Sequence, residues 1–145
     1  MALVARPLSV SDLGPLEAIE LRHLETYGGE ALATAASLGY YQRGGHAFVV
    51  ERSGTAVGFV LARALWDGRR ATVSAARFAL ADPGDEAAAD ALLAALTKSA
   101  YDAGVYRLEL QLDDGAGTAI ARSLDSGFRH SGITQLVRTL GSGGG

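Results

Sequence analysis

The chain has 145 residues, 48% of them hydrophobic and 20% charged, which suits one compact domain around a single core. Its 13 basic and 16 acidic side chains sum to −3, a balance that a nucleic-acid backbone repels, and the longest apolar run, Ala56 to Ala62, falls far short of the ~18 to 20 residues that cross a bilayer. Cysteine is absent, which removes disulfides and thiolate zinc sites, and the start from Met1 to Pro7 lacks a basic segment before an apolar one; the expected setting is cytoplasmic, with no metal, nucleic acid or membrane.

Leu3 to Arg6 is a short strand stopped by Pro7, and Ser9 to Asp12 offers hydroxyls and an acid to open a helix. Val10, Leu13, Leu16, Leu21 and Leu24 fall on one arc at helical spacing and are expected to face the core. A second helix is expected from Glu30 to about Arg43, ended by Gly44-Gly45. His46 to Glu51 and Ala56 to Trp66 flank a tight polar connection, and Asp67-Gly68 turns the chain back into Arg70 to Leu80, so the middle reads as a three-strand meander. Asp82-Pro83 suits a helix start, with Asp as N-cap and Pro at the first position; Ala89, Leu92, Leu93, Leu96 and Ala100 then repeat at helical spacing until Gly104. Tyr106 to Leu112 alternates strictly, placing Leu108, Leu110 and Leu112 on one face, expected against Leu92, Leu93 and Leu96. A short helix from about Thr118 to Ser126 follows, then a hairpin of Phe128–His130 with Ile133–Leu140, and a flexible glycine-rich end over residues 141–145. Residues 1–140 thus form one domain with a mixed α/β (α+β) fold, a twisted and mostly antiparallel sheet flanked by helices.

In this order of elements the chain resembles the Gcn5-related N-acetyltransferase superfamily, the acyl-CoA N-acyltransferase fold, from Ala5-Arg6-Pro7 to Ser126-Gly127-Phe128 and the closing strand. The stretches Tyr40 to Phe48, Phe59 to Ala62 with Trp66, and Lys98 to Tyr106 are similar to a small branch of that superfamily whose fold is known and whose reaction is not assigned. The resemblance implies acetyl-CoA lying where two central strands part, its amides against strand backbone at Phe78, Ala79 and Leu80. Its pyrophosphate would rest on backbone N–H groups at the next helix start, where a helix has unsatisfied donors and about half a unit of positive charge.

The superfamily's phosphate pattern is Arg or Gln, two residues, Gly, one residue, then Gly or Ala. Here it places Gly84 at the basic position and Ala87 and Ala89 at the small ones, with Asp82, Asp85 and Glu86 crowding the first turn. Smallness is kept and the basic side chain is not, so the acids either cap the helix in place of a phosphate or leave a weaker backbone site. A second pattern, Asn, two residues, Ala, three, Tyr, three, Gly-Phe, matches at Ala119 and Gly127-Phe128. Ala116 stands at its Asn position and Ser123 at its Tyr position, where the superfamily often carries the acid for the leaving thiolate. A serine hydroxyl is a poor proton donor at neutral pH, and Ser123 also reads as a plain surface residue of its helix.

Central strands carry few charges, which singles out Arg77 and Glu109. Either Glu109 is a base toward an amine and Arg77 binds an anionic substrate group, or the two pair across adjacent strands. Glu51 is a further base candidate or a solvated strand end, and His46 reads as a hydrogen-bonding structural residue. The implied function is acetyl transfer from acetyl-CoA to a small-molecule or protein amine. Its alternative is a catalytically degenerate member that binds a ligand or partner through the same cleft, and a homodimer through the last hairpin is a further expectation.

Overall fold

The computed structural model describes residues 2–141. Five strands, β1 (Leu3–Pro7), β2 (Phe48–Arg52), β3 (Thr55–Trp66), β4 (Ala71–Leu80) and β5 (Leu108–Leu110), form one sheet in chain order. The first three junctions are antiparallel and β4–β5 is parallel. Helices α1 (Leu13–Tyr27), after a 3-10 turn at Val10–Asp12, and α2 (Ala35–Gly44) cover one face of the sheet. On the other face lie α3 (Glu86–Asp102), which makes the crossover from β4 to β5, and α4 (Gly117–Asp125).

Two apolar layers result. Leu92, Leu93 and Leu96 of α3 pack on Val60, Val73, Phe78 and the half-buried Leu108, Leu110 and Leu112, as the alternation from Tyr106 to Leu112 requires. Opposite them Leu16, Ile19, Leu38 and Tyr41 meet Val49, Phe59 and Leu61. Burying each leucine fully contributes about 1.5–3 kcal/mol. The β2–β3 connection is a tight turn whose central residues Ser53 and Gly54 both have positive φ (53° and 81°), the twist that joins right-handed strands without splaying them. Asp67 closes the next turn, its Oδ1 accepting from the N–H groups of Arg69 and Arg70.

The structure departs from the sequence reading in several places. On α1 the buried face is Leu16, Ile19, Glu20 and His23, while Val10 and Leu21 are exposed. The second helix starts at Ala35, not near Glu30, because Glu20 takes the N–H groups of Leu32 and Ala33, and Thr34 then caps the helix by accepting from Ser37 N–H. The N-cap of α3 is Asp85 in place of Asp82; Asp82-Pro83-Gly84 forms a turn before it, in which Asp82 accepts from Gly84 and Asp85. Among the described residues 128–140 contain no strand, so the expected last hairpin is not formed. The flexible end expected over residues 141–145 lies outside the described residues except for Gly141.

Candidate active site

Strands β4 and β5 pair over only three registers, Val73–Leu108, Ser74–Glu109 and Ala75–Leu110. They part where β4 carries an extra residue: Ala75 pairs with Ala62 and Arg77 with Leu61, leaving Ala76 as a bulge. A bulge bends the strand and shifts its side chains by one face. Val73 and Ala75 pack toward α3 before it, and Phe78 and Leu80 do so after it. Arg77 is thereby turned toward α1, on the face of Ala79. Without Ala76, strict alternation would send the guanidinium into the leucines of α3.

On the α1 side Arg77 meets two inward residues one helical turn apart. Its Nε lies 3.0 Å from Glu20 Oε1, a contact of charges without an aligned hydrogen bond. Its Nη1 is 3.1 Å from His23 Nε2, and its Nη2 donates to the carbonyl of Glu30 at 2.7 Å. Glu20 Oε2 accepts from Leu32 and Ala33 N–H at 2.6 and 2.9 Å. His23 Nε2 also stands 2.9 Å from Asp113 Oδ2, in the loop after β5. Burial first and the charge of Arg77 second hold the imidazole pKa below its ordinary value, against the opposite pull of Asp113 and Glu20. The neutral ring can serve one Nε2 neighbour at a time: bare, it accepts from Arg77; protonated, it donates to Asp113.

Beside this cluster, in the gap left by β5, is a cavity of about 200 Å³. His23 and Tyr27 of α1, Phe78 and Leu80 of β4, and Ala116 and Ala119 at the start of α4 line it. The Tyr27 ring stands 4.8 Å from that of His23. The start of α3 adjoins it through Pro83. There Asp85 Oδ1 accepts from Ala88 N–H, and Arg52 grips the same carboxylate at 2.8 and 3.0 Å. Arg52 holds the Asp85 carboxyl below its usual range, so the acid stays ionised and its charge is compensated. The N–H groups of Glu86 and Ala87 carry no partner among the described residues, as expected of a first helical turn.

The expected site residues are not gathered in one place. Phe78 and Leu80 line the cavity, whereas Gly84, Ala87 and Ala89 are outside its lining, which reaches the α3 start only through Pro83; Ala79 faces the opposite apolar layer, and Ala89 is fully buried in the core. Arg77 sits in the polar cluster and pairs with Glu20, not with Glu109, because the bulge turns it to the other helix. Glu109 is on the exposed outer strand beside Arg107 at 3.3 Å, outside the cavity lining. Ser123 is buried, not a surface residue, and its hydroxyl donates to the Ala119 carbonyl at 2.7 Å. Glu51 is held by Arg6 at 3.2 Å, and His46 Nδ1 is bonded to Ser99 Oγ at 2.6 Å. His23, Asp113, Tyr27 and Arg52 escaped the sequence reading. The one available signal was polar: Glu20 and His23 sit at helical spacing beside Leu16 and Ile19. Among the described residues no group of three or more His, Asp or Glu is set to hold a metal ion.

No curated protein matches the chain. Among solved structures it is similar to TTHA1254 of Thermus thermophilus, with 32% identity over 96% of this chain and 98% of that one, at a TM-score of 0.76. At 15% identity it superposes on AAC(6')-Iy in complex with the bisubstrate analog CoA-S-monomethyl-acetylneamine (97% of this chain, 99% of that, TM-score 0.73). It superposes equally, at 15% identity, on a ribosomal-protein-alanine N-acetyltransferase of Brucella melitensis biovar Abortus 2308 (96% and 100%, TM-score 0.73). The last two likenesses establish the acyl-CoA N-acyltransferase fold. A family model described as "Protein of unknown function (DUF1999)" matches residues 6–142, and the chain belongs to that family.

Proposed function

We propose that the protein is an acyl-CoA-dependent N-acyltransferase that moves an acetyl group from acetyl-CoA to a small-molecule or protein amine. The observation that carries this reading is the cavity at the β4–β5 gap, beside a helix start with two open N–H groups. It is supported by the shared fold of AAC(6')-Iy, a neighbour solved with a CoA-containing bisubstrate analog. Beyond Ala75 the backbone of β4 has no β5 partner, which fits an extended chain of amides at Phe78 to Leu80. The N–H groups of Glu86 and Ala87 fit phosphate oxygens, with Gly84 and Ala87 allowing close approach, and Arg52 supplies a cation that Gly84 cannot. Bound acetyl-CoA would supply a thioester whose carbonyl carbon forms a C–N bond with the amine as the C–S bond breaks.

His23 is the proton acceptor of this reading. It is neutral at physiological pH, it lines the cavity, and a proton arriving at Nε2 is received in a hydrogen bond by Asp113 at 2.9 Å. Arg77, itself held by Glu20, donates to the same Nε2 while the nitrogen is bare and yields it to Asp113 once the proton arrives. Tyr27 provides the hydroxyl in the cavity lining for the departing thiolate, a role that Ser123 cannot fill while its proton is donated to Ala119. Release of free thiol from acetyl-CoA, measured over a panel of amines, tests the reading. His23→Gln is expected to lower kcat by about 10²-fold or more with acetyl-CoA affinity retained. Unchanged kcat in that variant removes His23 from the chemistry.

The second reading, a degenerate member that binds through the cleft without transfer, is favoured by the Arg52–Asp85 pair at the helix start and by the committed hydroxyl of Ser123. Binding of acetyl-CoA without thiol release on any amine would establish it.

A further inference from the structure

The cavity lies at one end of β4. At the other end, about 30 Å away along the strand, the β3–β4 hairpin outruns the core: Arg63 to Trp66 are exposed, and Trp66, the one tryptophan of the chain, is 68% exposed. Trp66 pairs with Ala71. Ala71 stands two residues before Val73, the partner of Leu108 on β5, and this register sets Tyr106 on its other side. All three are on the α3 side of the sheet. Trp66 follows the alternation that puts Val60 and Ala62 there, Ala71 follows that of Val73, and the Tyr106 ring meets Tyr101 of α3 at 5.7 Å. Two strand spacings, about 10 Å, therefore separate Trp66 from the 80% exposed Tyr106, across an alanine too small to fill the space. The slot has room for one planar ring between them, since an aromatic contact spans ~4.5–7 Å between centroids.

The surroundings of the slot are cationic. Residues 63–70 carry three arginines against one acid, on a chain whose net charge is −3. The side chains of Arg63, Arg69 and Arg70 make no hydrogen bond or ion pair among the described residues, while the one acid, Asp67, is committed to the backbone N–H groups of Arg69 and Arg70. The other acids at this end are paired, Asp102 with Lys98 and Glu109 with Arg107. We propose that this end of the molecule binds a short single-stranded nucleic acid, with a base in the slot between Trp66 and Tyr106 and the adjoining phosphates on Arg69 and Arg70. Every base offers a π-face to such a slot, and arginines beside it attract the backbone. An acidic peptide would meet the arginines and leave the slot empty, and a duplex keeps its bases stacked away from it. The negative balance of the whole chain opposes wrapping, which confines the contact to about two or three phosphates.

Because Trp66 is the sole tryptophan, its fluorescence reads the slot directly. Titration with an oligoadenylate of about twelve residues at about 50 mM salt is expected to quench it saturably, with affinity roughly tenfold lower at about 200 mM, as counterion release from two or three phosphates requires. Arg69→Ser with Arg70→Ser is expected to weaken binding about tenfold or more at the lower salt and to flatten the salt dependence. Tyr106→Ala should weaken it several-fold with the salt dependence unchanged. Trp66→Ala, followed by the fluorescence anisotropy of an end-labelled oligomer, is expected to lose affinity in the same way. Four results would overturn the proposal: no saturable quenching up to millimolar oligomer, equal affinity for the same sequence in a duplex, unchanged affinity in the arginine variant, or equal quenching by a polyglutamate peptide of the same length, which would assign the surface to an acidic protein segment. Far-UV circular dichroism checks the fold of each variant, and the wild-type comparison of single strand, duplex and peptide decides the question if a variant does not fold.

Discussion

Arg77 Nε and Glu20 Oε1 are 3.0 Å apart between a central strand and the helix that covers it, and both side chains are almost wholly buried. Taking one charge away strands the other in a dry site, which costs about 3–5 kcal/mol, whereas removing both costs far less. Arg77→Met is therefore expected to lower the urea midpoint steeply. Adding Glu20→Gln is expected to recover part of the loss, since the amide oxygen still accepts from Leu32 and Ala33. Equal, additive losses would show that the two residues act independently.

The pH dependence of stability follows from two buried histidines. Burial lowers the folded pKa of both His23 and His46. The unfolded chain, with histidine near 6.5, then binds more protons than the folded one at pH just below that value. Stability from this source is complete above about pH 6.5 and is lost as pH falls through the window down to the folded values. Thermal melts between about pH 7.5 and 5 should show Tm falling, with a shallower slope in His46→Asn. A Tm that rises on acidification contradicts the assignment.

How far the sequence carried can be judged from α1 and α3. On α3 the apolar spacing from Ala89 to Ala100 is unbroken, and it revealed the helix, its buried face and its contact with Leu108, Leu110 and Leu112. On α1 the buried face is half polar, so an apolar arc selected Leu21 and passed over Glu20 and His23. That face becomes recognisable only with Arg77 opposite it, and Arg77 is brought there by a one-residue bulge at Ala76 that strand alternation does not reveal. Arg52 was missed for a related reason. It reaches the α3 start from a hairpin 33 residues earlier, a neighbour that a linear motif around Gly84 does not contain.

At that helix start Arg52 and Asp85 form a latch. Asp85→Asn retains a good cap for Ala88 while releasing Arg52. Together with Glu86→Gln it takes away two negative charges beside the N–H groups assigned to phosphate. Acetyl-CoA affinity, measured by calorimetry at low salt, should rise several-fold in that double variant and fall several-fold in Arg52→Ala. The gain should shrink at higher salt. No change in either variant places the phosphate elsewhere.

Gly58 of β3 pairs with Leu80 at the end of β4, and a Cβ there would meet the Ala79 carbonyl at 3.0 Å, Leu80 Cδ2 at 3.1 Å and Val50 Cγ1 at 3.2 Å. Backbone cannot yield as a side-chain tip does. Gly58→Ala is expected to cost about 1–3 kcal/mol in urea unfolding through overpacking. A neutral effect would mean that β3 and β4 are free to separate at that point.

The central claim, that the gap between β4 and β5 receives an acyl-CoA, is tested most directly by titrating isotope-labelled protein with acetyl-CoA and following backbone amide and His23 ring resonances. The account predicts saturable shifts concentrated at Phe78–Leu80, Glu86, Ala87, Ala116 and Ala119, with the His23 ring among them. Resonances unmoved at millimolar acetyl-CoA, or shifts confined to residues outside the cavity and the α3 start, would contradict it.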